Sequence, residues 1–465
     1  MKVLFVATEA HFTGGAGEVG VAASKLAPAL NNLGADCRVV IPMNEKISLE
    51  YAEKIKLVAT FSVPVSWRVQ FCGVYELEHG GVKHYIIDNQ DHFGGETAFS
   101  DVHAGHHTEA CAFFSRAVLE MLPAIDFKPD VMHTNDTQTA LVSVFWRVFY
   151  SHSVFYSDIK HVFTIHDYNY QGVMSPEMSH DVIGLPEWAE GIIRYDDVRI
   201  LIKGAIETAH SVVIADSSYG EWRESPHICD KWDKITIIPN GAESDGDHVD
   251  MNKSEYKMEL QKLFGFKQNK TNPLVAAVIS DSTMEHDCAF ALGALTKFYS
   301  YQPPAARKVS CVVTGPAAHR GYVIERANEF IRHLEHDYPG KEVVHCRELS
   351  LITKIIAGAD ICIIPSYRHA RKITAFALRH GTIPVVFATG GPFDIVTDAS
   401  NQKGYGFVFD EPKPSALMGA LERAIAAYQD TKKWSGIADR AGACDFSWDN
   451  VTAADYLKLY SSLCP

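Results

Sequence analysis

Four glycines fall within the ten residues His11 to Gly20, "HFTGGAGEVG", directly behind the apolar run "KVLFVAT". A glycine-rich turn between a strand and a helix can bring main-chain N–H groups up to a phosphate or a carboxylate. The G-x-G-x-x-G pattern is met only as "GAGEVG", and the Gly-Lys-Ser/Thr of a P-loop is missing, so the phosphate reading is weak on these residues alone. A second concentration of chemistry lies in "YRHARKITAFALRH", which sets Arg368, Arg371 and Lys372, with His369, at the start of an expected helix. A helix N-terminus is already positive, so cations gathered there ask for an anion, and arginine forks suit phosphate oxygens. A tight turn without ligand and a solvated basic loop are the plainer alternatives.

The elements that must position these residues repeat along the chain. "KVLFVAT" reads as a buried parallel strand, "EVGVAASKLAPALNNLG" as a helix ended by Gly34, and "CRVVIP" as the next strand. Ligands of such units bind at the carboxyl ends of the strands, beside the helix N-terminus. Further strand-like runs are "HYIID", "DVMHTN", "HVFTIH", "SVVIAD" and "ITIIPN", then "PLVAAVIS", "KVSCVVTG", "ICIIPS" and "IPVVFATGG". Alternation of strands and helices predicts parallel sheets covered on both faces, and 465 residues are long for one core. The predicted organisation is a first Rossmann-like domain over 1–243, a linker over 244–272 that runs into a short helix, a second such domain over 273–445 and a terminal helix over 446–465. Asp449 or Asn450 is its expected cap, with Tyr456, Leu457 and Tyr460 on one face.

A net charge of −14 disfavours nucleic acid or an anionic membrane as the main partner. The ten cysteines are scattered, Cys346 and Cys362 being the closest pair, so no C-x-x-C redox pair or zinc ribbon is encoded. They read as reduced core residues. No run is long and apolar enough to span a bilayer, and Met1 leads straight into a strand, so the cytosol is the expected location. "SDGDHVD" lacks the glutamate that closes an EF-hand, and "HAGHH" lacks a complete metal set; both read as solvated loops. No Gly-x-Ser-x-Gly elbow is present.

Taken in order, "KVLFVATEA", "TGGAGEVG", "MHTNDTQTAL", "VFTIHDYNYQGV", "IIPNGAE", "AGADICIIPS", "ALRHGTIPVVFATGGPFDIVTD", "GYGFVF" and "DFSWDNVTAADYLKLY" resemble the glycogen and starch synthases, retaining glycosyltransferases. The resemblance implies the α/β GT-B fold: two Rossmann-like doubly wound domains facing across a cleft, with a C-terminal helix crossing back to the first. It implies a nucleotide-sugar donor, no metal and no resident cofactor. It places His166 beside the donor sugar and Asp136 after another strand, as the catalytic pair. It assigns Gly14, Gly15 and Glu18 to the glycine loop, Thr389, Gly390 and Gly391 to a donor-side turn, and Asn240 with Gly241 to the hinge on the acceptor side. Glu18 stands where the family has aspartate.

The sequence departs from the family where donor charge is bound. The family's Lys-Thr-Gly-Gly becomes Phe12-Thr13-Gly14-Gly15, its S-R-L-x-x-Q-K-G becomes "SDSTMEHDC" with Asp281 and His286 in the cationic places, and its E-P-C-G-L-T-Q becomes "YRHARKITA". Aspartate against a diphosphate is repulsive. Two accounts stand side by side. Either the phosphate site has been rebuilt from Arg368, Arg371, Lys372 and Thr374, with Arg347 in reach, or the donor site has decayed. The first predicts a transferase of a nucleotide-activated sugar or sugar-like cyclitol to a small-molecule or glycan acceptor, an amine among them. The second predicts a carbohydrate-binding or regulatory pseudoenzyme. A homo-oligomer is left open.

Overall fold

The computed structural model describes residues 1–15, 17–94, 99, 104–215, 225–226, 228–242, 252–278, 285–301, 309–314, 325, 328–330, 332–333, 336, 342–365, 370–388 and 395–464. The chain forms two compact units, the first of Met1–Asn240 with Trp448–Pro465 and the second of Gly241–Ser447.

In the first unit, "KVLFV" forms β1 (Lys2–Val6), apolar and buried at every residue after the first, as a central parallel strand requires. The others are β2 (Asp36–Pro42), β3 (Lys56–Val65), β4 (Arg68–His79), β5 (Val82–Asp88), β6 (Val131–Asn135), β7 (Lys160–Ile165), the short β8 (Val173–Met174), β9 (Arg194–Tyr195) and β10 (Val198–Ile200), then β11 (Ser211–Ile214) and β12 (Ile235–Ile237). The main sheet runs β12-β11-β7-β6-β1-β2-β5-β4-β3, parallel as far as β5, with β4 and β3 added as an antiparallel hairpin. The order reverses at β1, whose neighbours are β2 on one side and β6 on the other, and this defines the topological switch point. The helix α1 (Glu18–Asn32) follows the glycine loop. Gly34, at φ +89°, ends it as expected: the Ala35 N–H reaches Leu30 O and the Gly34 N–H reaches Asn31 O, closing a left-handed cap that only glycine adopts without strain.

The hairpin β3–β4 is absent from the sequence-derived runs. Its solvent face carries Leu57, Val69 and Phe71, with Trp67 at the turn, all exposed, so the apolar/polar alternation that marks a half-buried strand is erased.

The terminal helix Ala453–Leu463 is preceded by a π-turn, Trp448–Thr452. Asp449 and Asn450 therefore lie inside a helical turn and do not cap it, a correction to the expected start. Tyr456 and Tyr460 are buried, and the Tyr460 hydroxyl meets Nδ1 of fully buried His133 at 2.6 Å. The opposite ring nitrogen meets Thr164 Oγ1 at 2.6 Å. Tyr460→Phe leaves a buried ring nitrogen without its partner, and thermal unfolding should show a loss of about 1–3 kcal/mol.

The second unit holds six parallel strands, β13 (Leu274–Val278), β14 (Ser310–Thr314), β15 (Val343–Cys346), β16 (Ile361–Ile364), β17 (Ile383–Phe387) and β18 (Phe407–Phe409), in the order β15-β14-β13-β16-β17-β18. The stretch 244–272, expected as a linker followed by a short helix, holds such a helix in its described part. Asn252 caps a helix, Lys253–Leu263, which buries Lys257, Leu260 and Gln261. Lys257 Nζ lies 2.6 Å from Asp360 Oδ2. Half-buried Lys253 donates to Ala357 O, His380 O and Thr382 Oγ1, and desolvation of its ammonium lowers its pKa to about 8. The segment looks like a linker in sequence because its anchoring groups are lysines, whose stems pack while their ammonium groups are bonded.

Candidate active site

Three neighbouring strands of the first sheet end at one edge, each followed by a residue or loop singled out from sequence: the glycine loop after β1, Asp136 after β6 and His166 after β7. This edge is the carboxyl end at the switch point, where doubly wound sheets bind ligands.

The glycine loop holds one of the protein's own anions. After a 3₁₀ turn, His11–Thr13, the chain passes through Gly14 at φ +90°. The Glu9 side chain then lies against the next three glycines. A Cβ on Gly15 would stand 2.6 Å from Glu9 Cβ, one on Gly17 2.3 Å from Glu9 Oε1, and one on Gly20 3.1 Å from the same oxygen. Gly17 is the N-cap of α1 and offers no side-chain acceptor, and Glu9 Oε1 takes the Gly20 N–H at 3.3 Å in its place. A carboxylate at the positive end of a helix is favourable, and the glycines leave it room. Phe12, in the place of the family lysine, is turned into an aromatic cluster, stacked on His79 at 4.1 Å with Tyr51 and His84 edge-on. The loop does meet a lysine, from another segment. Half-buried Lys46, beyond β2, crosses Gly14 with Cδ 3.3 Å and Nζ 3.7 Å from where a Gly14 Cβ would stand. No spacing rule in the sequence links Lys46 to a loop thirty residues earlier; only the β1–β2 pairing does.

Asp136 adopts φ +56°, the left-handed region that aspartate tolerates better than most residues, at a cost of roughly 1–2 kcal/mol. The turn aims its Oδ1 at the start of the β7 loop, where it accepts the main-chain N–H of His166 at 2.6 Å and of Asp167 at 3.2 Å. These bonds favour the carboxylate, but burial outweighs them, and with Asp167 and Glu18 nearby the pKa is raised to about 7. Asp136 thus stands near half-protonation at neutral pH.

His166 is 3% exposed and held at both ring nitrogens. Nε2 lies 3.0 Å from Asn135 Oδ1, and Nδ1 lies 3.0 Å from Asn240 Nδ2. Asn240 Nδ2 also donates to Glu18 Oε2 at 3.0 Å, while Asn135 Nδ2 donates to Val6 O at 2.9 Å. Glu18, Asn135, Asp136, His166 and Asn240 are therefore one bonded set, with the loop of Gly14 and Gly15 at its side. Asn135 was not singled out from sequence, although it directly precedes Asp136. Asn240 closes the first unit and buried Gly241 opens the second.

In the second unit, Arg371 and Lys372 form the first turn of the helix Arg371–Arg379, both half-buried, with the Arg371 guanidinium 5.6 Å from the Phe446 ring centre. Thr374 departs from its expected donor-binding role: it is fully buried and its hydroxyl bonds Ala370 O within the same helix. Arg347 Nη2 donates to Asn328 Oδ1 at 2.6 Å. Arg368, Thr389, Gly390 and Gly391 lie outside the described residues, as do Asp281, His369 and the His286 side chain. Among the described residues, no group of three His, Cys, Asp or Glu side chains is placed to hold a metal, and no helix is long and apolar enough to cross a membrane.

Two units built on doubly wound parallel sheets, with a histidine and an aspartate at the first unit's switch point, define a GT-B glycosyltransferase. Residues 2–227 match the starch synthase catalytic domain family. The chain is 32% identical over 484 residues to a glycogen synthase of Desulfitobacterium hafniense, covering 100% of this chain and 99% of that one. It is 30% identical over 495 residues to a glycogen synthase of Clostridium botulinum, with the same coverage. The catalytic domain of starch synthase IV from Arabidopsis thaliana shares the fold at a TM-score of 0.76 and 22% identity, over 100% of this chain and 99% of that one. This chain belongs to the glycogen and starch synthase family of glycosyltransferases.

Proposed function

We propose that the protein transfers a sugar from a nucleoside-diphosphate donor to a glycan or small-molecule acceptor, with its phosphate recognition altered from the family's. The observation that carries this reading is the bonded set around His166, which fixes an imidazole and a carboxyl group of near-neutral pKa at the switch point. The structure of the Arabidopsis starch synthase IV holds ADP and acarbose, which supports a nucleoside diphosphate as the leaving group here. Transfer demands neutralisation of that leaving group and a fixed hold on the sugar ring. Arg371 and Lys372, with Arg368 before them, supply the first, and His166 the second. Lys46 brings a further positive charge to the glycine loop. The nucleotide sugar is a co-substrate, and the chemistry calls for no resident cofactor or metal.

Loss of the family glutamate in "YRHARKITA" favours a donor ring other than the glucose of ADP-glucose, a different sugar or a cyclitol. An amine acceptor, giving a C–N link, stands on analogy of fold alone.

A second reading is supported by Phe12. Its ring is built into the aromatic cluster, so the cation lost at that position is replaced by packing, as in a protein that keeps a carbohydrate-binding surface without turnover.

Calorimetric titration with a panel of nucleoside diphosphates and nucleotide sugars, paired with turnover assays, separates the two. The transferase reading expects saturable binding, weakened by about 1–3 kcal/mol in each of Arg371→Ala and Lys372→Ala. No binding across the panel sinks it and leaves the second reading.

A further inference from the structure

The orientation of each amide around His166 is decided by a group that can only accept. Val6 O is a main-chain carbonyl, so Asn135 must turn Nδ2 toward it, and this leaves Asn135 Oδ1 facing the imidazole. An amide oxygen only accepts, so the proton on that side of the ring belongs to His166 Nε2. On the other side, Glu18 Oε2 draws Asn240 Nδ2 toward itself, and the same nitrogen stands 3.0 Å from His166 Nδ1. An amide nitrogen only donates, so Nδ1 carries a lone pair. Asn135 is fully buried, Asn240 is 8% exposed and His166 3% exposed, so water does not readily replace these bonds.

We propose that Asn135 and Asn240, oriented by the Val6 carbonyl and the Glu18 carboxylate, are positioning residues that hold His166 as the neutral imidazole protonated on Nε2. Glu18, assigned from the resemblance to the glycine loop, acts here through Asn240. Protonating Nδ1 would need Asn240 to turn its oxygen to the ring, and this would set that oxygen's partner, Nδ2, away from Glu18. Among the described groups, His133 on β6 interacts with the imidazole, Glu18 from α1 reaches it through Asn240, and Asp136 bonds the main-chain N–H of the same residue. For transfer, as in the function proposed above, the tautomer has a direct consequence. A sugar hydroxyl that reaches this ring is bound at Nδ1 as a donor, in exchange for the Asn240 amide, because Nε2 is committed to Asn135.

The test is nitrogen-15 NMR of the full chain labelled at histidine, with the His166 signals assigned by their loss in His166→Gln. The expected wild-type spectrum shows a protonated Nε2 and an unprotonated Nδ1 across the range between about pH 5.5 and 8 in which free histidine titrates. In Asn135→Asp, a carboxylate replaces the amide oxygen, and the ring should bind its second proton about 10- to 1,000-fold more tightly. Should that variant fail to fold, Glu18→Gln takes its place, since a glutamine amide can donate to Asn240 Oδ1 and release the lock; its expected spectrum shows Nδ1 gaining a proton at higher pH than in the wild type. A wild-type ring protonated on Nδ1, or one whose titration is the same in these variants, overturns the assignment. The spectra need no donor and no turnover, so an inactive protein with the expected spectrum would reject the transferase reading and leave this inference standing.

Discussion

His166→Ala should lower kcat/KM for transfer from the productive nucleotide sugar by about 10²–10³, the scale of losing one preorganised hydrogen-bonding group at a reacting centre. The same change strips Asn135 Oδ1 and Asn240 Nδ2 of a buried partner and opens a cavity, so a stability loss of about 2–5 kcal/mol accompanies it. His166→Gln separates the two effects. A glutamine side chain can still offer a donor to Asn135, so folding should largely recover in a thermal melt, whereas an amide does not reproduce the geometry of the imidazole. If the ring acts on the sugar in the transition state, kcat and kcat/KM fall together in His166→Gln. A rise in KM with kcat untouched would reduce His166 to a ground-state contact. Wild-type rates in a folded His166→Gln would remove it from the site altogether.

The parallel frame was legible because buried runs such as "VLFV" and "ICII" are apolar throughout and recur between helical patterns. The β3–β4 hairpin was not, because exposed apolar side chains hide its alternation. At the site, His166 and Asp136 were reached through motifs that sit at strand ends, and the sheet order brings those ends side by side. Asn135 and Lys46 were not reached. An asparagine next to a chosen aspartate carries no signal of its own until a main-chain carbonyl is seen to orient it, and Lys46 comes to the glycine loop only through a strand pairing. Thr374 was over-read. Its position after "YRHARK" suggested a ligand, but a threonine in a helix readily turns its hydroxyl back to the carbonyl four residues earlier, and this one does. The glycine loop asked from the outset for an anion, and the anion it holds is Glu9, eight residues ahead of its helix cap and too ordinary in sequence to be noticed.

Acidification should unfold the first unit well above the pH at which its surface carboxylates protonate. Burial lowers the pKa of His84 to about 4 and takes those of His133 and His161 well below the ordinary value of 6.5. Each is neutral in the folded chain and gains a proton on unfolding once the pH falls below about 6.5, so stability is full above that pH and declines as acid is added. Asp136 works in the opposite sense. With its pKa raised to about 7, the folded state already holds a proton that the unfolded state takes up only near pH 4. Among these four groups, three protons gained by the unfolded chain against one held by the folded chain leave a net two, or about 3 kcal/mol lost per pH unit between roughly pH 6 and 5, and half-buried His210, whose pKa is likewise lowered to about 4, steepens the loss. Against a total of about 5–15 kcal/mol this is a large fraction, and urea midpoints measured across that range should fall steeply. His161 offers the sharpest check. Its ring is fully buried against Trp146 at 4.3 Å, and among the described residues neither ring nitrogen has a hydrogen-bond partner. Phenylalanine has nearly the same shape and nothing to leave unbonded, so His161→Phe should stabilise the unit by about 1–3 kcal/mol at neutral pH and reduce the acid slope by one proton. An unchanged slope in that variant would mean that His161 already carries its proton in the folded state, and that burial of the histidines is not what makes the unit acid-sensitive.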